Sequence, residues 1–307
     1  MAAELIDGTS IAARVRGEVQ QAVARMPTKP GLATILVGDD PASAVYVGSK
    51  RRACVEIGIR DLHRHLPADI TQAELAKLIT ELSRDPEVTG ILLQLPLPRH
   101  LDPVPLIELI DPDKDVDGLS VLSAGRLARG VAGLYPCTPL GVMEMLDTHH
   151  VELAGTDVVV VGRSNLVGWP LAQMLLQRDA TVTSCHKGTR NLVRVCRHAD
   201  VLIVATGVER LVDADYVRPG ATVIDVGIHR TASGLCGDVD FESVAPLVDL
   251  ISPVPGGVGP MTIAMLMRNT LRASELQGYD MGEPDQLLDT DSATNPALAA
   301  VSAAPAP

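Results

Sequence analysis

A two-domain α/β protein is what this sequence predicts, on three observations. The chain has 307 residues, more than one hydrophobic core usually organises, so two domains are the natural division. Apolar, strand-like runs alternate with helical patterns along most of its length, as they do where helices connect parallel strands. Those runs are continuous rather than alternating, which suits sheets covered on both faces.

The elements follow in order. Residues 9–26 have the spacing of an amphipathic helix, and LATILVG (32–38) reads as a buried strand. Asp40-Pro41 opens a helix with proline in its first turn, and Gly58 stops it. Thr71 with Glu74 three residues on is a capping-box signature. TGILLQL (89–95) is a second buried strand, ended by Pro96 and Pro98, and DPDKDVDG (111–118) is an acidic turn. Thr138-Pro139 reads as a helix cap and first turn. Strands are then expected at 156–162, 180–186, 200–207 and 221–227, with a helix over 167–178. A Gly/Pro loop and a helix occupy 253–271, and the Ala/Pro-rich residues 283–307 read as a disordered tail.

Composition excludes several functions. The formal net charge is −12 and aromatic residues make up 2%. The chain therefore lacks both the basic surface and the stacking platforms of a nucleic-acid binder. No apolar run reaches the length of a membrane span, and the first residues lack the pattern of a signal peptide. Five cysteines without a CxxC pair suit reduced thiols in a cytoplasm, with no metal site.

VVVVGRSNLVGWP (158–170) joins a strand, a glycine turn and a helix start. That arrangement aims backbone N–H groups and the helix dipole at a phosphate. The spacing is G-x5-G, from Gly162 to Gly168, not the full dinucleotide fingerprint, and a plain βα turn is the competing reading. About 20 residues on, where an NAD site usually places an acid, the sequence reads Ser184-Cys185-His186-Lys187-Gly188-Thr189-Arg190. No acid is present, and Lys187, Arg190 and Arg163 are candidates to meet a 2′-phosphate, so NADP is expected over NAD. His186 and His198 read as surface residues at element ends.

Tyr46 and Lys50 are four residues apart and share a helix face. Spacing alone favours a solvated face. Gln94, however, is polar at the end of an apolar strand, where open α/β sheets bind ligands, and Asp117 sits in a similar loop. A lysine, an amide, a phenol and a carboxylate converging on one cleft would suit a polar heterocycle.

Several blocks in order carry a resemblance over most of the chain. They are VGDDPASAVYVGSKRRACVEIGI (37–59), ILLQLPLP (91–98), DPDKDVDG (111–118), YPCTPLGVMEML (135–146), VVGRSNLVGWPLA (160–172), DVGIHR (225–230), GDVDF (237–241) and PVPGGVGPMTIAML (253–266). The sequence resembles the bifunctional methylenetetrahydrofolate dehydrogenase/cyclohydrolase family of one-carbon metabolism. The resemblance implies a Rossmann-like, parallel-sheet NADP domain (138–257) inserted into an α/β folate-binding domain (1–137 plus 258–282). It implies NADP-dependent oxidation of methylenetetrahydrofolate, hydrolysis to 10-formyltetrahydrofolate, and a homodimer formed through the nucleotide domains.

The resemblance also assigns residues. Lys50 is central to catalysis, Tyr46 packs beside the folate, Gln94 positions the lysine and Asp117 holds the pterin. The folate site extends over Val47, Gly48, Ser49, Leu93, Leu95 and the loop Pro255, Gly256, Gly257, Val258, Gly259, Pro260, Met261 and Thr262. Gly162, Arg163, Ser164, Lys187 and Ile228 fall on the cofactor side. Three positions depart from the family pattern. Lys187 stands where a serine or threonine is frequent, His229 where asparagine is common, and Gly48-Ser49 precede the lysine. The competing functions are another two-domain NADP dehydrogenase acting on a small polar metabolite, dehydrogenase activity alone, and a non-catalytic nucleotide-binding module.

Overall fold

The computed structural model describes residues 3–232 and 234–282. The expected tail, residues 283–307, lies outside the described residues. Two parallel sheets organise the chain, one in each half. The first is built from β2 (Gly31–Val37), β3 (Arg60–Asp61), β4 (Arg64–Leu66) and β5 (Gly90–Leu93); β2 is central, with β5 on one side and β3 and β4 on the other. The second has the order β1-β12-β9-β8-β6-β7. Its strands are β1 (Glu4–Leu5), β6 (Asp157–Val161), β7 (Thr181–Cys185), β8 (Val201–Val204), β9 (Thr222–Asp225) and β12 (Leu250–Ile251), all parallel. An antiparallel hairpin, β10 (His229–Thr231) and β11 (Gly234–Cys236), projects beyond β9.

The continuous apolar runs do what the sequence requires of them. In β2, Ala33, Ile35 and Val37 face α3 (Gln72–Arg84) through Leu75, Ile79 and Leu82, while Leu32 faces the opposite core. In the second sheet, Val158, Val160, Ile203 and Ile224 face one core, and Val159, Val161, Leu202 and Val223 the other. Period-two alternation with both faces covered keeps these positions apolar; polar side chains enter at Thr34 of β2 and at Thr222 and Asp225 of β9, and the outer strand β7 exposes Thr181, Thr183 and Ser184.

Local signals set the helix ends. Asp7 caps α1 (Gly8–Arg25) by accepting from the backbone of Thr9 and Ser10. Lys29 donates to the carbonyls of Val23, Ala24 and Met26 at the other end. Asp40 and Pro41 start α2 (Pro41–Ile57), and Gly58 ends it at φ +89°. The Thr71–Glu74 capping box is formed in both directions. α6 (Cys137–Thr148) begins two residues earlier than Thr138-Pro139 suggests and has no side-chain cap; Thr138 instead bonds Thr262. The shorter helices are α4 (Pro103–Ile107), α5 (Val121–Ala128), α7 (Gly168–Leu176), α8 (Leu192–Cys196), a 3₁₀ turn (Ala214–Tyr216) and α9 (Phe241–Val244).

The last helix, α10 (Val258–Leu276), packs chiefly against α1 and α6, with less contact to α2. Met261, Ala264, Met265, Leu266, Met267 and Ala273 are buried in the cluster that also holds Val158, Val160 and Ile203 of the second sheet. Gly141 lets α6 approach, since a Cβ there would lie 2.8 Å from that of Met261. Gln277 and Tyr279 then tie the chain to the first half, at Thr89, Asp113 and Pro86. The N-terminus goes the other way, because β1, expected within the first domain, pairs with β12 in the second sheet.

Burial of α10 has a measurable consequence. Leu266→Ala is expected to cost about 2–5 kcal/mol of unfolding free energy. Val45→Ala, at a position 66% exposed on α2, should change it by no more than about 0.5 kcal/mol. Urea denaturation of both variants checks this, and equal shifts would remove the central place given to α10.

Candidate active site

A cavity of about 410 Å³ opens between the two sheets. α2 supplies Tyr46 and Lys50, and the chain leaving β5 supplies Gln94, Leu95 and Pro96. Val226 and Ile228, just beyond β9, line it from the second half, with Val258, Gly259, Thr262 and Ile263 from the start of α10. The cavity thus lies beyond the carboxyl ends of β5 and β9, where open parallel sheets bind ligands.

Lys50 is only 9% exposed. Its ammonium donates to Gln94 Oε1 at 3.0 Å. Gln94 cannot turn its amide freely, because Nε2 donates to the Leu95 carbonyl at 2.6 Å and its backbone N–H donates to Ile35 at 2.9 Å. One side of the amide is occupied by a carbonyl, so the oxygen must face the lysine. Tyr46, one turn before Lys50, is 46% exposed and presents its ring to the cavity.

Asp117 stands off the cavity wall but within the field of Lys50. Burial pushes its carboxyl up, while the nearby ammonium and a hydrogen bond from the Cys137 thiol oppose that shift. Cys137 is pushed well above the usual thiol range, by burial first and then by the Asp117 charge. Asn269 of α10 donates to the carbonyls of Val116 and Tyr135 at 2.8 Å each, which ties the residue before Asp117 to the segment that leads into α6. Gly118 sits at φ +62°, and a Cβ there would come within 2.6 Å of the Tyr135 carbonyl carbon.

The Gly/Pro loop forms a second wall. Pro255, Gly256, Gly257 and Pro260 line an adjoining cavity of about 190 Å³, together with Val226, Gly227, Ile228, Val258 and Gly259. The loop is stitched to α1: Thr9 N–H donates to the Gly256 carbonyl at 3.0 Å, and a Cβ on Gly8 would meet the Gly257 oxygen at 1.9 Å. Val47, Leu93 and Met261, grouped with the folate site by resemblance, are buried in the core instead. Gly48 and Ser49 lie off the cavity lining, and Ser49 bonds back to the Val45 carbonyl within its own helix.

The expected nucleotide turn has the shape a diphosphate needs. Gly162 has φ +126°, and a Cβ there would lie 2.1 Å from the Ala205 oxygen. A Cβ on Gly168 would lie 2.0 Å from the Gly162 oxygen. Only glycine at both positions lets the start of α7 close on the end of β6 and leaves room for a ligand backbone. Arg163 and Ser164 are exposed in this turn, and Lys187 is exposed at the end of β7. His186 is a turn residue: its Nδ1 accepts from Gly188 N–H at 3.1 Å, and its own N–H donates to Thr189 Oγ1 at 2.9 Å.

Sequence reasoning missed part of the lining, namely Asp40, Ser43, Pro96, Thr138, Val167, Val226 and Ile263. In the sequence Asp40 and Thr138 read only as helix signals; a polar side chain at the start of a helix is the clue each carries. A cleft with a buried ammonium, a fixed amide and an exposed phenol can exchange protons with a flat polar ligand.

Residues 6–117 match the model for the catalytic domain of tetrahydrofolate dehydrogenase/cyclohydrolase, and residues 136–278 match its NAD(P)-binding domain. The two segments follow one another, with α10 inside the second. Consecutive domains, the last helix of which packs back on the first, therefore replace the expected insertion. The sequence is 60% identical over 278 residues to bifunctional protein FolD 2 of Frankia alni, covering 89% of this chain and 96% of that one. It is 51% identical to bifunctional protein FolD of Halalkalibacterium halodurans, over 90% of this chain and all of the other. The crystal structure of the bifunctional FolD enzyme from Campylobacter jejuni superimposes with a TM-score of 0.88 at 47% identity, covering 90% of this chain and 100% of that one. With two domain models accounting for most of its length and relatives well above half identical, this chain belongs to the tetrahydrofolate dehydrogenase/cyclohydrolase family.

Proposed function

We propose that this chain oxidises 5,10-methylenetetrahydrofolate to the 5,10-methenyl form with NADP, then hydrolyses it to 10-formyltetrahydrofolate. The observation that carries the reading is the buried Lys50 ammonium, held by Gln94 in a cleft shared by both matched domains. A related structure from Trypanosoma brucei, 37% identical with a TM-score of 0.86 over 90% of this chain and 99% of the other, was solved with NADP and an inhibitor.

The glycine cradle at Gly162 and Gly168, with Arg163, Ser164 and Lys187 exposed around it, fits the phosphates of that nucleotide. NADP supplies a hydride acceptor when bound. The protein's part in the oxidation is to hold the reactants in register. Tyr46 stacks on the folate, Asp117 acts on the pterin through its charge from behind the cavity wall, and Val226 and Ile228 wall the side toward the nucleotide.

Hydrolysis asks more of the side chains. Water adds to the methenyl carbon and loses one proton; the resulting hydroxyl gives up its remaining proton as the carbon–nitrogen bond breaks and the departing nitrogen takes one up, so one proton is released overall. Lys50 is the group placed to carry protons at this carbon, and Gln94 fixes the direction of its ammonium without adding a charge. The reading extends to a homodimer through the nucleotide domains, which is supported by β7, an edge strand with its outer side unpaired among the described residues. It also extends to a cytoplasmic location, supported by five free thiols.

Three outcomes are expected. Purified chain given methylenetetrahydrofolate and NADP should reduce the nucleotide and release 10-formyltetrahydrofolate directly. Methenyl product accumulating and decaying at its uncatalysed rate would leave a dehydrogenase alone. Lys50→Met should abolish hydrolysis of added methenyltetrahydrofolate while part of the dehydrogenase activity remains; a full hydrolysis rate in this variant sinks the lysine assignment. Lys187→Ala should weaken NADP binding about three- to tenfold and leave NAD binding nearly unchanged, since a charge-assisted contact to a phosphate contributes about 1 kcal/mol or more. Equal weakening of both nucleotides, read by fluorescence titration, rules Lys187 out as the partner of the 2′-phosphate.

A further inference from the structure

Beyond the cleft itself, the densest cluster of buried polar groups lies under the carboxyl ends of β8 and β9. Asp238 is completely buried. Its Oδ2 accepts from Thr206 N–H at 2.5 Å, Thr206 Oγ1 at 2.9 Å and Gly207 N–H at 2.9 Å. Its Oδ1 lies 2.7 Å from His229 Nε2. Three donors already point at this carboxylate, and a carboxylate only accepts, so His229 must donate through Nε2. The imidazole does this both in its neutral Nε2–H tautomer and when protonated.

Asp225, also buried, completes the frame. It accepts from the backbone of Gly227 at 3.0 Å, Asp238 at 3.0 Å and Val239 at 2.9 Å. Gly227 must be glycine, since a Cβ there would lie 2.2 Å from Asp238 Oδ1. Ile228 is therefore bracketed. The residue before it is tied to Asp225 and the residue after it to Asp238, and its side chain enters the cleft that holds Lys50. The same Asp238 fixes the 206–207 turn at the end of β8, so one carboxylate sets the spacing of two neighbouring strand ends. The order of strand addition reverses between β6 and β8, and the nucleotide crevice of such a sheet lies at that switch point, beside the 206–207 turn.

We propose that His229 is a positioning residue for the oxidation step: through Asp238 it holds Ile228 and the 206–207 turn in the register that hydride transfer needs. The proposal rests on the bifunctional reading above, and that reading supplies its control. Hydride transfer depends steeply on the alignment of two reactants. Hydrolysis takes place at Lys50 and uses no nicotinamide. A clamp on the nucleotide side should therefore separate the two rates, whereas a residue that merely supports the fold would lower them together.

The test uses the full chain, wild type and with His229→Ala or His229→Gln. Dehydrogenase turnover is measured with methylenetetrahydrofolate and with its methylene-deuterated form, and cyclohydrolase turnover with added methenyltetrahydrofolate; melting is followed in parallel. His229→Ala is expected to lower dehydrogenase kcat about ten- to a hundredfold and to raise the primary isotope effect. Its cyclohydrolase kcat should stay within about twofold of wild type. His229→Gln, which restores an N–H donor, should recover most of the loss. An unchanged dehydrogenase in His229→Ala, a parallel fall of both activities, or no recovery with glutamine overturns the proposal while the bifunctional reading stands. A wild-type chain that turns over neither folate overturns both.

Discussion

Helix α10 is the element that both halves of the molecule must accommodate at once. Its apolar side is buried against α1 and α6, in a cluster that continues onto one face of the second sheet. Its first turn forms part of the cleft wall through Val258, Gly259 and Thr262. The same helix carries Asn269, which clamps the carbonyl of Val116, just before Asp117, together with that of Tyr135. Packing that orders the core thus also orders the site. A shift of α10 along its axis would break its contacts with α1 and move one wall of the cleft relative to Lys50 on α2.

Close backbone approach is the second constraint, and it is written in a few glycines. Gly8 against Gly257, Gly141 against Met261, and Gly168 against Gly162 each bring two segments nearer than any side chain would permit. The first pair holds the loop before α10 to the start of α1. The second seats α6 on α10. The third closes the nucleotide turn. Larger residues would not simply destabilise these contacts; they would change the distances between cleft walls that the chemistry uses.

The parts of this architecture legible in the sequence were those governed by local rules. Continuous valine and leucine runs gave the strands, Asp40-Pro41 and Gly58 bounded α2, and Thr71 with Glu74 formed the capping box that their spacing announces. Lys50 and Gln94 were legible as candidates, because a polar residue at the end of an apolar strand is conspicuous. Their mutual hydrogen bond was not, since no spacing rule relates residues on α2 and β5. β1 escaped notice for the same reason: it is two residues long and its partner lies near residue 250. The Asp238 clamp joins residues 9 and 32 positions away from it, and although Asp238 falls in the GDVDF block, no spacing rule relates it to Thr206 or His229. Val47, Leu93 and Met261 show the converse. They sit inside conspicuous motifs, yet their side chains fill the core, so a motif's boundary is not the boundary of a site.

The choice of an amide as the partner of Lys50 bears on how one cleft can host two reactions. A carboxylate in the place of Gln94 would form a buried ion pair, and its strength would depend on every change in charge as the substrate becomes a cation. The neutral oxygen of Gln94 orients the ammonium at 3.0 Å while adding no charge of its own. Of the carboxylates near the cleft, Asp40 lines it at the start of α2, while Asp117 stands back from the cavity wall in a loop pinned from α10. Neither takes the place of Gln94 as the hydrogen-bond partner of the ammonium. The nucleotide side relies on rigidity instead of charge: the oxygens of the buried Asp225 and Asp238 are taken up by backbone and side-chain donors. On the proposed reading, proton chemistry at Lys50 and alignment beside Ile228 fall to opposite walls of one cleft, so that a change on either wall acts on a different step.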